Sequence, residues 1–229
     1  MIAARPYSFP HEGELVPAAT GLVVVDMQRY FLSEDGFAAA HGFDASLVKA
    51  IIPNIVSLVA ASRDAGLPVF WTRHGYRPDL SDWTPFEAWR LAHSGAPGGE
   101  PDFTKRPSVR GEPGFEIIPA LAPRQDELIV DKSTAGAFCS TDFDRNLRAR
   151  GVSRLIFTGC TTDVCVHTTL REACDRNYQC ALVEDACASG DPRAHDAAIY
   201  LTTIENGFWG VVTQTASVLD GLSRFSLQR

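Results

Sequence analysis

Three side chains of this 229-residue chain could do chemistry together: the carboxyl of Asp26, the amine of Lys132 and the thiol of Cys165. Each falls at or just beyond the end of an apolar run. A base, a charge stabiliser and a nucleophile are the parts of an acyl-transfer site. Cys165 carries the strongest signal, because the run Arg154 to Thr158 reads as a buried strand and Asp163 to Asn177 as a helix. That places the thiol at a helix N-terminus. Unpaired amides and the positive end of the helix dipole converge there, so a thiolate is favoured and a developing oxyanion finds donors. Each residue also has a plainer explanation. Cys165 reads equally well as a small buried apolar group, Asp26 as a cap and Lys132 as a solvated strand end. Their joint placement on one edge is what favours chemistry.

The elements that must position them alternate along the chain. Gly21 to Val25 is a β-branched run without alternation, which suits a strand buried on both faces. Apolar residues from Leu47 to Val59 recur at helical spacing, with Asp44 as N-cap, Pro53 as a kink or break and Gly66 as the stop. Leu67 to Thr72 is a second strand. After it, 74–125 holds eight of the fourteen prolines and reads as an irregular insertion near the site, with a short helix at Phe86 to Ala92. Alternation then resumes: strands at 127–130, 154–158, 180–183 and 208–213, helices at 140–150, 163–177, 191–205 and 215–222. Such an order specifies an α/β fold in three layers, a six-stranded parallel sheet with helices on both faces, in one domain over 1–229. Residues 1–20 read as an extended, proline-rich lead-in. In an open parallel sheet the functional groups gather at the carboxyl ends of the strands, where Asp26, Lys132 and Cys165 lie.

Composition narrows the classes further. The net charge of −7 and pI near 5.3 leave no clustered Lys and Arg for nucleic acid or an anionic membrane. The lead-in lacks a signal-peptide core, and no apolar run approaches the ~20 residues of a membrane span, so a cytoplasmic protein is expected. All six cysteines fall between 139 and 187 without a Cys-x-x-Cys, which favours free thiols over disulfides or zinc. No phosphate-cradling glycine motif follows the first strand, which disfavours a dinucleotide enzyme.

The motifs themselves are specific: Val25-Asp26-Met27-Gln28 with Phe31, then Asp131-Lys132, then Gly159-x-x-Thr162-Asp163-x-Cys165-Val166-x-x-Thr169-x-Arg171-Glu172-Ala173. In that order, and over nearly the whole chain, they resemble the isochorismatase-like cysteine hydrolases. The stretches 72–80, 110–114 and 138–142 are most similar to the biuret and triuret hydrolases, with the ureidoacrylate hydrolases as the neighbouring branch. The resemblance implies a catalytic triad of Asp26, Lys132 and Cys165. It also implies a cis peptide before Thr161 and an oxyanion hole made by the Thr161 and Cys165 amides. Metal-dependent relatives carry an aspartate and paired histidines after the second strand. Only His74 stands there in this chain, so neither metal nor other cofactor is expected. A homotetramer is implied in the same way. A catalytically silent member of the fold would be expected to have lost a triad residue, and the vinyl-ether hydrolases of the family lack the cysteine.

The substrate the resemblance implies is a small linear ureide. Phe31 and Phe138 are candidate walls. Ala135 and Glu205 stand where the biuret branch has a lysine and a glutamine, which would open room and add an acceptor. On that reasoning triuret comes first, biuret second, and ureidoacrylate or another N-carbamoyl amide is the alternative.

Overall fold

The computed structural model describes residues 1–33, 44–92 and 108–226. Its spine is a parallel sheet of β2 (Thr20–Val25), β3 (Val69–His74), β4 (Leu128–Lys132), β5 (Arg154–Cys160), β6 (Gln179–Ala188) and β7 (Val211–Thr213). Among the described residues there is also a seventh strand. β1 (Ala4–Arg5) pairs antiparallel with β7, giving the order β1-β7-β6-β5-β2-β3-β4. The lead-in is therefore part of the sheet rather than a free extension, and Ile2 and Phe9 are 0% and 1% exposed. Two residues are too few to show a strand period, which is why the pattern hid it.

Alternate residues of the central strands feed two cores. Leu22, Val24 and Ile156 face α2 (Ala45–Ala50), α3 (Ile52–Ala65) and α8 (Thr215–Ser226). Val23, Val25, Leu155 and Phe157 face α5 (Phe143–Ala149), α6 (His167–Cys174) and α7 (Pro192–Thr202). The remaining helices are α1 (Arg29–Leu32) and α4 (Pro85–Ala92), the latter at the place the sequence predicts.

Local signals set the boundaries. Asp44 accepts from the Ser46 amide at 2.8 Å and caps α2, and Gly66, at φ 78°, ends α3. The break falls at Ile51 because Pro53 is accommodated in the first turn of a new helix, where its missing N–H costs nothing. Taken together, Ala45–Ala65 spans 21 residues at mean hydropathy 1.6, long and apolar enough to cross a membrane, contrary to the expectation from sequence. Here Ile55, Leu58 and Val59 are buried in one of the two cores, as in an amphipathic core helix.

Strand β4 runs on through Lys132, two residues beyond its predicted end, and alternation separates two adjacent charges. Asp131 takes a bidentate pair of bonds from Arg73 at 2.8 and 3.1 Å, while Lys132 turns inward and is fully buried. Ile204–Gly207 precedes β7 as a turn in which Glu205 and Asn206 both hold left-handed backbone, at φ 50° and 62°.

Candidate active site

Three strand ends converge on one point. Val25 pairs with both Thr72 and Gly159, and His74 with Lys132, so the residues that follow β2, β3 and β5 are neighbours at the carboxyl edge. The approach is close: a Cβ on Gly159 would collide with the Val25 carbonyl oxygen, and its φ of 112° suits glycine alone. Asp26 turns out of β2 at φ 49°, a left-handed conformation an aspartate tolerates better than most residues.

That turn aims the carboxylate at two partners. The Lys132 ammonium lies 2.7 Å from Oδ2, both side chains being fully buried, and the Thr72 hydroxyl donates to Oδ1 at 2.5 Å. Lys132 also donates to the Thr134 carbonyl at 3.0 Å. Burial alone disfavours its charge, but Asp26 and Cys165 outweigh it and hold the ammonium above its usual range. Cys165, 6% exposed, completes the group, its thiol buried beside the Asp26 carboxylate and the Lys132 ammonium, whose charges both act on it. The structure thus brings Asp26, Lys132 and Cys165 together in one closed site.

Cys165 does not begin an α-helix directly. The Cys160–Thr161 peptide is cis, and Thr162–Val166 forms a π-helical turn before α6. The amides of Val164 and Val166 share the Thr161 carbonyl at 3.2 and 3.1 Å. Thr162 is pinned to α7 through a 2.9 Å bond with His195. The expectation of a favoured thiolate needs correction. Burial pushes the Cys165 thiol up to about 12, and the Lys132 ammonium only partly offsets this, with Asp26 raising it again. The resting group is a protonated thiol. We expect less than about 1% thiolate from Cys165 at pH 8, read as the difference in thiolate absorbance between the wild type and Cys165→Ser. A Cys165 transition below about pH 10 would contradict this.

The other expected site residues separate. Phe31 is buried at the site, its ring centroid 6.4 Å from that of His74, and half-buried Ala135 lies in the loop that follows Lys132. Phe138 is not an open wall. Its ring packs 5.0 Å from Phe143 and 6.0 Å from Tyr178, under the Arg176 guanidinium. Glu205 is misplaced by the sequence reading. It is exposed on the turn before β7, at the amino edge of the sheet, whereas the triad lies at the carboxyl edge about 20 Å away by strand rise. Glu205 therefore cannot select a substrate at Cys165 within this chain.

Sequence reasoning assigned no individual role at the site to Thr72, Gln28 or Glu172. Thr72 was legible as the last residue of its strand, but its bond to Asp26 depends on pairing. Gln28 is fully buried and ties three backbone groups together, donating to the His74 and Phe115 carbonyls at 3.0 and 2.9 Å and accepting from the His74 amide at 2.7 Å. Glu172 accepts from the Phe138 amide at 2.9 Å and fills the space that a Cβ at Gly136 would need. Among the described residues no three His, Cys, Asp or Glu side chains gather in a way that would hold a metal ion.

A doubly wound sheet with a carboxylate, an ammonium and a thiol buried at its carboxyl edge is the architecture of a hydrolase of the α/β class. Residues 20–217 match the Isochorismatase domain family, and the chain is an isochorismatase-family amidohydrolase. It is 32% identical to the ureidoacrylate amidohydrolase of Cronobacter turicensis over 100% of this chain and 99% of that protein. It is 33% identical to the same enzyme of Methylobacterium radiotolerans, over 91% and 81%. Among solved structures it is similar to a cysteine hydrolase from Pseudomonas syringae pv. phaseolicola, at 30% identity and TM-score 0.79, covering 93% of this chain and 97% of that one. N-carbamoylsarcosine amidase from Thermoplasma acidophilum aligns at 25% identity and TM-score 0.65, covering 86% and 96%.

Proposed function

We propose that this enzyme cleaves the C–N bond of a small N-carbamoyl amide, ureidoacrylate or a near relative, with Cys165 as nucleophile, Asp26 as general base and acid, and Lys132 as charge stabiliser. The observation that carries the reading is the burial of a carboxylate–ammonium pair, 2.7 Å apart, whose charges act on one buried thiol. Because the thiol rests protonated, a base must take its proton as attack begins, and Asp26 is in place to do so. The sulfur attacks the carbamoyl carbon, and the carbonyl electrons move to oxygen, which the Thr161 and Cys165 amides receive. Collapse breaks the C–N bond as Asp26 returns the proton to the leaving nitrogen, leaving an S-carbamoyl enzyme. Water then attacks that carbon as Asp26 takes one of its protons, and the C–S bond breaks as Asp26 returns that proton to sulfur, releasing carbamic acid and restoring the thiol. Throughout, Lys132 keeps Asp26 from being an unpaired buried charge.

The relatives favour ureidoacrylate over triuret or biuret, and Glu205, one of the two residues that favoured triuret, lies at the far edge of the sheet. A carboxylate-bearing ureide calls for a cation. Arg110, whose Nε donates to the Gly75 carbonyl at 3.2 Å, places a guanidinium at the correct edge. Steady-state kinetics on one preparation test the choice: kcat/KM for ureidoacrylate should exceed those for biuret and triuret by about tenfold or more. A higher value for triuret or biuret would overturn it.

A further inference from the structure

Asp26 has two carboxylate oxygens, and the reaction just described needs one of them to carry a proton. The Lys132 ammonium lies 2.7 Å from Oδ2 and offsets the charge, yet among the described residues no aligned hydrogen bond reaches that oxygen. An ammonium is a compact point charge with rotatable donors, so it attracts either oxygen and does not set the rotation of the carboxylate. Something else must tell the two oxygens apart.

Thr72 does so. Its hydroxyl lies 2.5 Å from Oδ1, and the same hydroxyl oxygen accepts from the Asp26 amide at 3.2 Å. That amide is shared with the Thr72 carbonyl, again at 3.2 Å. Thr72 therefore holds Asp26 by backbone and side chain together. The pairing of β2 with β3, with Val25 opposite Thr72, fixes the spacing of the two residues, and both Thr72 and Asp26 are fully buried. An ionised Oδ1 has no proton to give, so the Thr72 hydroxyl is the donor, and among the described residues it has no other acceptor. A β-branched side chain is also stiff at χ1, which leaves the hydroxyl little freedom to swing away. One lone pair of Oδ1 is thus taken, while Oδ2 keeps one unused.

We infer that Thr72 is a positioning residue for the general base: by holding Oδ1 it presents Oδ2 as the oxygen that takes the Cys165 proton and returns it to the leaving nitrogen. This rests on the proposed ureide chemistry and deepens it. The S–H bond breaks as Oδ2–H forms, and Oδ2–H breaks as the new N–H forms, while Thr72 keeps its own proton throughout. Without the hydroxyl the carboxylate turns about its Cβ–Cγ bond, and both transfers lose their alignment.

Thr72→Val and Thr72→Ser separate this role from packing. Valine keeps the volume and the branching but not the hydroxyl, whereas serine keeps the hydroxyl and loses a buried methyl. With the best of the three ureides as substrate, kcat of Thr72→Val should fall by about tenfold or more while KM stays within about threefold, and Thr72→Ser should recover to within about fivefold of wild type. A residue that only packs gives the opposite order, with serine the more damaged. If Thr72→Val does not fold, Thr72→Ala against Thr72→Ser makes the same comparison, since those two differ by the oxygen alone. A Val variant within about threefold of wild type in kcat, a Ser variant no better than Val, or a loss confined to KM would overturn the inference. Failure of the underlying reading is seen separately, as a wild type that hydrolyses no ureide or an Asp26→Asn variant of undiminished activity, and either result would take the inference down with it.

Discussion

Cys165→Ala and Cys165→Ser should both fold and lose turnover by about 10⁴-fold or more, because the proposed S-carbamoyl intermediate forms on this sulfur. Cys160 lies nearby, but it is fully buried, its sulfur donates to the Asp26 backbone carbonyl at 3.3 Å, and burial holds its thiol well above the ordinary range. Serine keeps the shape at 165 but is a poorer nucleophile than the sulfur beside the same base. The fold should survive, since the anchors of this turn are the backbone of Thr161, the Thr162–His195 bond and the Thr169 hydroxyl on the Cys165 carbonyl at 2.6 Å, none of which uses the sulfur. Turnover, thermal melting and mass mapping of a trapped S-carbamoyl adduct check the three parts. An adduct on any other cysteine, or residual activity above about 1% of wild type in Cys165→Ala, would remove the thiol from the mechanism.

Lys132→Met should abolish activity and also destabilise the protein, by about 3–5 kcal/mol, since it leaves the Asp26 carboxylate buried with one of its two partners gone. In a protein of this size that corresponds to a fall in Tm on the order of 10 °C. Methionine matches the aliphatic stem, so the loss reports charge rather than volume. The double variant Asp26→Leu with Lys132→Met removes both charges and should recover most of the stability while remaining inactive. Calorimetry on the two variants gives the answer. A single variant as stable as wild type would mean that the pair is not buried as a unit, and a double variant no more stable than the single would point to lost packing instead.

Both expectations begin from three residues that are legible in the sequence itself, and the reason is local. Asp26, Lys132 and Cys165 each follow a β-branched or apolar run, and a parallel sheet must bring such strand ends to one edge. Helix boundaries at Asp44, Pro53 and Gly66 are legible for the same reason, since capping, a missing N–H and positive φ are properties of one or two residues. The short strand Ala4–Arg5 is not, because its only support is β7, more than two hundred positions along the chain.

What the sequence determined by itself, then, is the element order, the parallel architecture and the identity of the three groups at one edge. Tertiary structure decided everything that depends on direction and dielectric. Glu205 looked like a pocket residue by the resemblance to the biuret branch, but the helix that precedes it carries it to the opposite edge of the sheet. Phe138 looked like a wall, and the helix packed beneath it takes its ring into the core. Cys165 looked like a thiolate at a helix start, yet burial beside a carboxylate outweighs the nearby ammonium and keeps the proton on sulfur. Side-chain orientation and desolvation are sums over neighbours distant in the chain, and no window of sequence contains them.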